Sequence, residues 1–121
     1  MPFIKSTSII TSTAITVPGL TGGTNGKIVR ISGENTCVNA ANTNTVVQLN
    51  SVLLKLDDVY YAAGVVSGLS SLAAGSPYFL AADGSLTSSP PTPTSTVRAL
   101  YIGFAVNSTE LIFRPGIPIS G

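Results

Sequence analysis

The sequence predicts an all-β protein: a compact antiparallel β-sandwich or barrel-like domain with an extended N-terminal segment. Three observations carry this. Val, Ile, Thr and aromatic residues recur in short alternating runs, which is strand chemistry. Gly, Pro, Asn and Asp clusters punctuate those runs at short intervals. No stretch keeps an apolar period of 3.6 between helix caps, although Leu69–Ala74 has room for one short helical turn. At 121 residues the chain holds a single domain, residues 1–121.

Residues 1–17 alternate β-branched and small hydroxyl residues, with Ile4, Ile9, Ile10 and Ile15 among the larger apolar members. Two readings stay open here: an arm that pairs with a neighbouring subunit, or an ordinary first strand. As an arm, its contacts are expected at Ile4, Ile9 and Ile10. Residues 18–26, PGLTGGTNG, form a Gly-rich hinge or loop. A phosphate-binding loop would need Gly-Lys-Ser/Thr opening a helix, but Gly26–Lys27 leads into the strand-like run Ile28–Ile31.

Strands are expected at Lys27–Ser32, Thr36–Ala40 and Thr45–Leu56, the last with a bulge near Asn50–Ser51. Asp57–Asp58 marks a turn and Val59–Ala63 a further strand. Tyr78 and Leu80 share one face of the next strand, with Phe79 and Ala81 on the other. Asp83–Gly84 signals a hairpin, and Ser85–Thr87 returns antiparallel. The run Ser88–Thr94 carries three prolines and belongs on an edge or the surface. Val97–Val106 follows as a strand with Leu100, Ile102, Phe104 and Val106 on one face, and Glu110–Arg114 pairs with it.

Composition removes several function classes. Without histidine, Ser–His–Asp and Cys–His arrangements are impossible, as is a His-containing metal site. The single Cys37 forms no intrachain disulfide and reads as a small hydrophobe. The five carboxylates are dispersed, and neighbouring Asp57 and Asp58 would point to opposite faces of a strand. The chain is therefore read as not an enzyme, with no catalytic, cofactor or metal residues and no cofactor. Six basic residues are scattered and the net charge is +1, so no basic stripe suits nucleic acid. No apolar run reaches the ~18 residues of a membrane-spanning helix, and no secretory signal pattern opens the chain; the expected partners include neither nucleic acid nor membrane.

Charged residues make up only 9% of the chain, against about 25% in ordinary soluble domains. A hydroxyl-rich surface with so few charges favours an oligomer or a particle component over a freely diffusing monomer.

The second half carries a recognisable pattern: Gly68–Leu69, then Leu72–Ala73–Ala74–Gly75–Ser76–Pro77–Tyr78–Phe79–Leu80–Ala81–Ala82–Asp83–Gly84–Ser85–Leu86–Thr87. A Pro-Pro run follows, then Val97–Arg98–Ala99–Leu100–Tyr101–Ile102–Gly103–Phe104–Ala105–Val106 and a short final strand. Over residues 65–114 this resembles a β module of small tailed-bacteriophage structural proteins, found on tail fibres, head fibres and capsid decoration proteins, commonly as trimers. The resemblance implies a virion component. The expected function is that of a capsid decoration or cement protein, binding as a homotrimer to the major capsid protein on the outside of a phage head. Localisation would be the capsid surface, after assembly in the host cytoplasm. Leu100, Tyr101, Ile102 and Phe104 are the expected subunit-packing residues. The alternative is a receptor- or glycan-binding tip of a head or tail fibre, with Tyr60, Tyr61 and Tyr78 stacking on sugars.

Overall fold

The structure, a computed structural model, describes residues 14–121. It is all-β. Ten strands run in chain order: β1 (Ala14–Thr16), β2 (Thr21–Gly22), β3 (Lys27–Gly33), β4 (Thr36–Asn39), β5 (Val52–Leu56), β6 (Val59–Ser67), β7 (Pro77–Leu80), β8 (Leu86–Thr87), β9 (Tyr101–Ala105) and β10 (Glu110–Phe113). The pairing path is β2-β4-β3-β5-β6-β10-β9-β7-β8, with β1 added to β6. Every pairing is antiparallel except the two-residue contact of β2 with β4.

The β5–β6 hairpin shows how the sequence makes a tight turn without glycine. Leu56 faces Val59 across the turn, and Asp57 and Asp58 take φ of 50° and 62°. Two successive positive φ values match the twist of the flanking strands, and Asp tolerates them better than β-branched residues. Asn25 secures the turn: its Oδ1 accepts from the Asp58 N–H at 2.8 Å, and its Nδ2 donates to Asp58 Oδ1 at 3.3 Å.

Strand β6 is the longest and joins the two halves of the molecule. Tyr61 pairs with both Leu54 of β5 and Thr16 of β1, so these neighbours lie on opposite edges of β6. Gly64 pairs with Ala14 of β1 and Phe113 of β10, again on opposite edges. Hence β5 and β10 occupy the same edge in succession, and β6 turns from one to the other. The turning point is visible in the register. Ala62 has no partner between Thr16↔Tyr61 and Ile15↔Ala63, and Gly64 has φ of 100°. An inserted residue bends a strand and switches which side chains face inward. Accordingly Tyr61 packs against the main core before the bulge and Val66 lies within it after.

The opposite side closes through the β7–β8 turn. Ile28 N–H donates to Gly84 C=O at 2.8 Å, while Lys27 Nζ reaches Asp83 Oδ2 at 3.1 Å and Ser85 Oγ at 2.8 Å. Gly84 has φ of 89°, and a Cβ there would sit 3.0 Å from Ala40 O and 3.1 Å from Ile28 O. Glycine is thus needed twice over, for its conformation and for the space. The barrel-like sheet, drawn together at this turn, encloses Ile28, Leu49, Leu54, Val66, Leu80, Leu100, Ile102, Leu111 and Phe113, each at most 1% exposed. A smaller cluster of Val29, Cys37, Leu53 and Tyr60 sits on the outer face of β4–β3–β5–β6 beneath Val17 and Leu20.

Several local expectations change. The expected strand Thr45–Leu56 divides into a 3₁₀ turn at Gln48–Ser51 followed by β5. Thr45 and Gln48 form a reciprocal capping pair: Thr45 N–H donates to Gln48 Oε1 at 2.9 Å and Gln48 N–H to Thr45 Oγ1 at 3.2 Å. The Thr-x-x-Gln spacing is a helix-start signature, and it turns the chain so that Leu49 enters the core. Leu69–Ala74 makes no helical turn, and Ser71 there has φ of 61°. The expected strand from Val97 starts only at Tyr101, because Arg98 and Ala99 are bonded elsewhere. Arg98 N–H donates to Asn42 C=O, and Ala99 bridges Ile119 in the C-terminal segment.

Candidate interaction surface

The expected packing residues divide between core and surface, and a second bulge explains the division. In the β7–β9 register, Tyr78 faces Gly103 and Phe79 faces Tyr101, leaving Ile102 as the extra residue. Inward-facing residues therefore run Leu100 and Ile102 before the bulge, then Gly103 and Ala105 after it, all buried. Leu100 and Ile102 belong to the chain's own core. The single face expected for Leu100, Ile102, Phe104 and Val106 is broken: Phe104 is turned to the outer side and Val106 is exposed. Tyr101 and Phe104 are half-buried on the outside.

Around them lies an aromatic face on β7, β9 and β10. Phe79 and Tyr101 meet edge to face, with ring centroids 5.8 Å apart and planes at 76°. The Arg114 guanidinium lies 5.6 Å from the Phe104 ring centroid, a favourable placement against the electron-rich ring face. Ile112 pairs with Phe104 across one strand and with Val65 across the other, all three half-buried. Aromatic residues and Arg are the types enriched where proteins meet.

A second apolar area opens on the other half of the barrel. Val17, Leu20, Ile31, Ser51, Val52 and Leu53 line a shallow cleft of about 290 Å³ with almost no polar wall. Its position depends on how the Gly-rich loop is fastened. Lys55, 8% exposed, donates from Nζ to Gly22 C=O and Gly23 C=O, each at 3.1 Å, and lies 5.2 Å from the Tyr60 ring centroid. Tyr60 Oη donates to Gly22 C=O at 2.7 Å. Asn39 adds a reciprocal pair with Thr24, its Oδ1 accepting from Thr24 N–H and its Nδ2 donating to Thr24 Oγ1. Residues 18–26 are thus tied down as a loop that holds Leu20 over the small cluster.

The tyrosines expected to stack on sugars are committed elsewhere. Tyr60 and Tyr78 are 4% and 7% exposed. The Tyr78 hydroxyl accepts from Ala73 N–H at 2.9 Å, and Tyr61 packs half-buried against the main core. The arm residues Ile4, Ile9 and Ile10 lie outside the described residues.

The perturbed carboxylates fasten turns. Asp83 is held at about 2, first by the Ser85 backbone N–H and then by Lys27 and the Ser85 hydroxyl. Glu110 is lowered by hydrogen bonds from Asn107 and then Ser67. Burial pushes the Cys37 thiol up. Among the described residues, no group of three or more His, Cys, Asp or Glu side chains is placed to hold a metal ion. A mixed pocket of about 360 Å³ beside Leu56, Leu69, Leu72, Tyr78 and Leu86 is walled in part by the backbone and hydroxyls of the 68–71 loop.

The cleft was not evident from the sequence because its wall is assembled from a loop, a 3₁₀ turn and two separate strands. One signal was present. Leu20 is the one large apolar residue in the Gly-rich stretch 18–26, and a solvated loop has no use for it. Comparison with known proteins gives no match among family models, curated proteins or solved structures.

Proposed function

We propose that this chain is a structural virion protein of a tailed bacteriophage, a capsid decoration or cement protein. It binds the major capsid protein on the outside of the head as a homotrimer and stabilises the shell. The observation that carries the reading is the outer aromatic face of Phe79, Tyr101, Phe104, Ile112 and Arg114 on a charge-poor barrel. Such a surface gains by being covered with protein, at roughly 25 cal/mol per Å² of apolar area removed from water. The resemblance over residues 65–114 supplies the virion setting, and those residues form the half of the barrel that bears this face.

In mechanism, each bound trimer bridges neighbouring capsid subunits. A ligand that binds only the assembled shell stabilises it by mass action, about 2.7 kcal/mol per site at a free concentration 100 times Kd. Tyr101 and Phe104 supply subunit or capsid contacts; Leu100 and Ile102 hold the strand that presents them. The experiment is co-sedimentation of the purified chain with empty capsids. Saturable binding, with an increase in the temperature at which capsids disrupt, is expected. A chain that ignores capsids but adheres to host cells would favour the fibre-tip alternative.

A further inference from the structure

The cleft bounded by Val17, Leu20, Ile31, Ser51, Val52 and Leu53 faces solvent without a charged residue in its lining. Beside it, β1 lies against β6 by one edge, and Ile15 at its centre is 62% exposed. No charged residue occurs between Lys5 and Lys27. β1 is short and its pairing is bulged, two of the ways an exposed edge is guarded, but it carries no charge. A segment of this length without charge is suited to contact with another uncharged surface.

The direction of β1 decides which copy that surface belongs to. Ala14 pairs with Gly64, Thr16 with Tyr61, and Val17 N–H donates to Tyr60 C=O at 2.9 Å. The chain therefore travels along β6 toward the cleft, reaching it at Val17, with Ala14 at the far end. From Phe3 to Thr13 there is no Gly, Pro, Asn or Asp, and of the five residue types that dominate turns only Ser occurs there. Thirteen residues at about 3.3 Å each span roughly 43 Å, well beyond a radius of gyration of about 14 Å for a domain of this size. The segment is long enough to reach a neighbour, whereas entry into its own cleft would require it to reverse direction.

We propose that the cleft of each chain receives residues 4–10 of a second copy. Handing a segment to the next subunit is a heterologous contact, which closes into a ring when the rotation is right. Three copies would make a trimer in which no cleft is left empty. The proposal deepens the homotrimer reading above and rests on it, and it concerns the isolated protein before any capsid is met.

Cross-linking of full-length chains tests it. One chain carries Ile10→Cys and another Ile31→Cys; the two are unfolded together, refolded and treated with a short bis-maleimide. Native Cys37 is 3% exposed and serves as an internal control through each single variant alone. The expected result is a cross-linked dimer in the mixture, at least 10-fold above either variant alone. Absence of that dimer overturns the proposal. So does a chain carrying both substitutions that links only within itself, since the segment would then occupy its own cleft. As a second measurement, Ile31→Asp at this exposed position is expected to weaken self-association at least 10-fold in sedimentation equilibrium; unchanged association also overturns the proposal. Because no capsid is present, failure here is distinguishable from failure of the decoration reading, which co-sedimentation tests separately.

Discussion

Replacing Lys55 with methionine removes an ammonium group and keeps a side chain of similar length. Three interactions end with it: two charge-assisted hydrogen bonds to Gly22 and Gly23 carbonyls, and the contact with the Tyr60 ring. The 3.8 Å ion pair with Asp58 adds little, because the Asp58 side chain is 83% exposed and exposed pairs contribute about 0–1 kcal/mol. Hydrogen bonds to a charged group contribute about 1.5–3 kcal/mol each. Against this, the ammonium no longer has to be desolvated, which recovers several kcal/mol. Gly22 C=O retains Tyr60 Oη, whereas Gly23 C=O loses its Lys55 donor. The net expectation is a loss of about 2–3 kcal/mol, read as a lower urea midpoint at unchanged m-value. Tyr60→Phe alone should cost about 1 kcal/mol, because Lys55 still serves Gly22. The double variant should exceed the sum of the two, since Gly22 C=O is then stripped of both donors. A Lys55→Met protein as stable as the parent, or simple additivity with Tyr60→Phe, would refute the claim that these two side chains jointly fasten the loop.

Three further outcomes are expected. Gly103→Ala would drive its Cβ into the Ile112 carbonyl of the paired strand, so β9 must shift from β10, at a cost of at least about 3 kcal/mol in thermal or urea unfolding. Because Asp83 is held near 2 in the folded chain, its contribution is fully present above the ordinary carboxylate value of 3.8 and lost as pH falls through about 2; Asp83→Asn should flatten acid unfolding between those values and leave the pH dependence near pH 7 unchanged. Cys37, buried with its thiol pushed up, should resist a thiol reagent in the native protein and react at the rate of global opening; stoichiometric labelling within mixing time would contradict its placement.

The all-β class was legible because it rests on local chemistry. Asp57–Asp58 and Asp83–Gly84 each announce a turn, and Tyr78 and Leu80 face the core with Phe79 outside, as alternation requires. What alternation cannot show is where it slips. A single extra residue at Ala62 and another at Ile102 reverse the inward face, so Phe104 emerges beside Tyr101 while Leu100 and Ile102 stay inside. Thr45–Gln48 carried a readable capping spacing, hidden within an apolar run that looked like strand. The role of Gly84 in closing the barrel is not local at all, since it answers to Ile28 and Ala40 more than forty residues away. The candidate surface was half legible: Tyr101 and Phe104 by their strand, the cleft only through Leu20.

The most direct test of the account is the mass of the purified chain and its partition with empty capsids, measured in one sedimentation series. The account predicts a species of three 12.3 kDa chains that moves into the capsid fraction and saturates. A stable monomer that stays in the supernatant at every capsid concentration would contradict it.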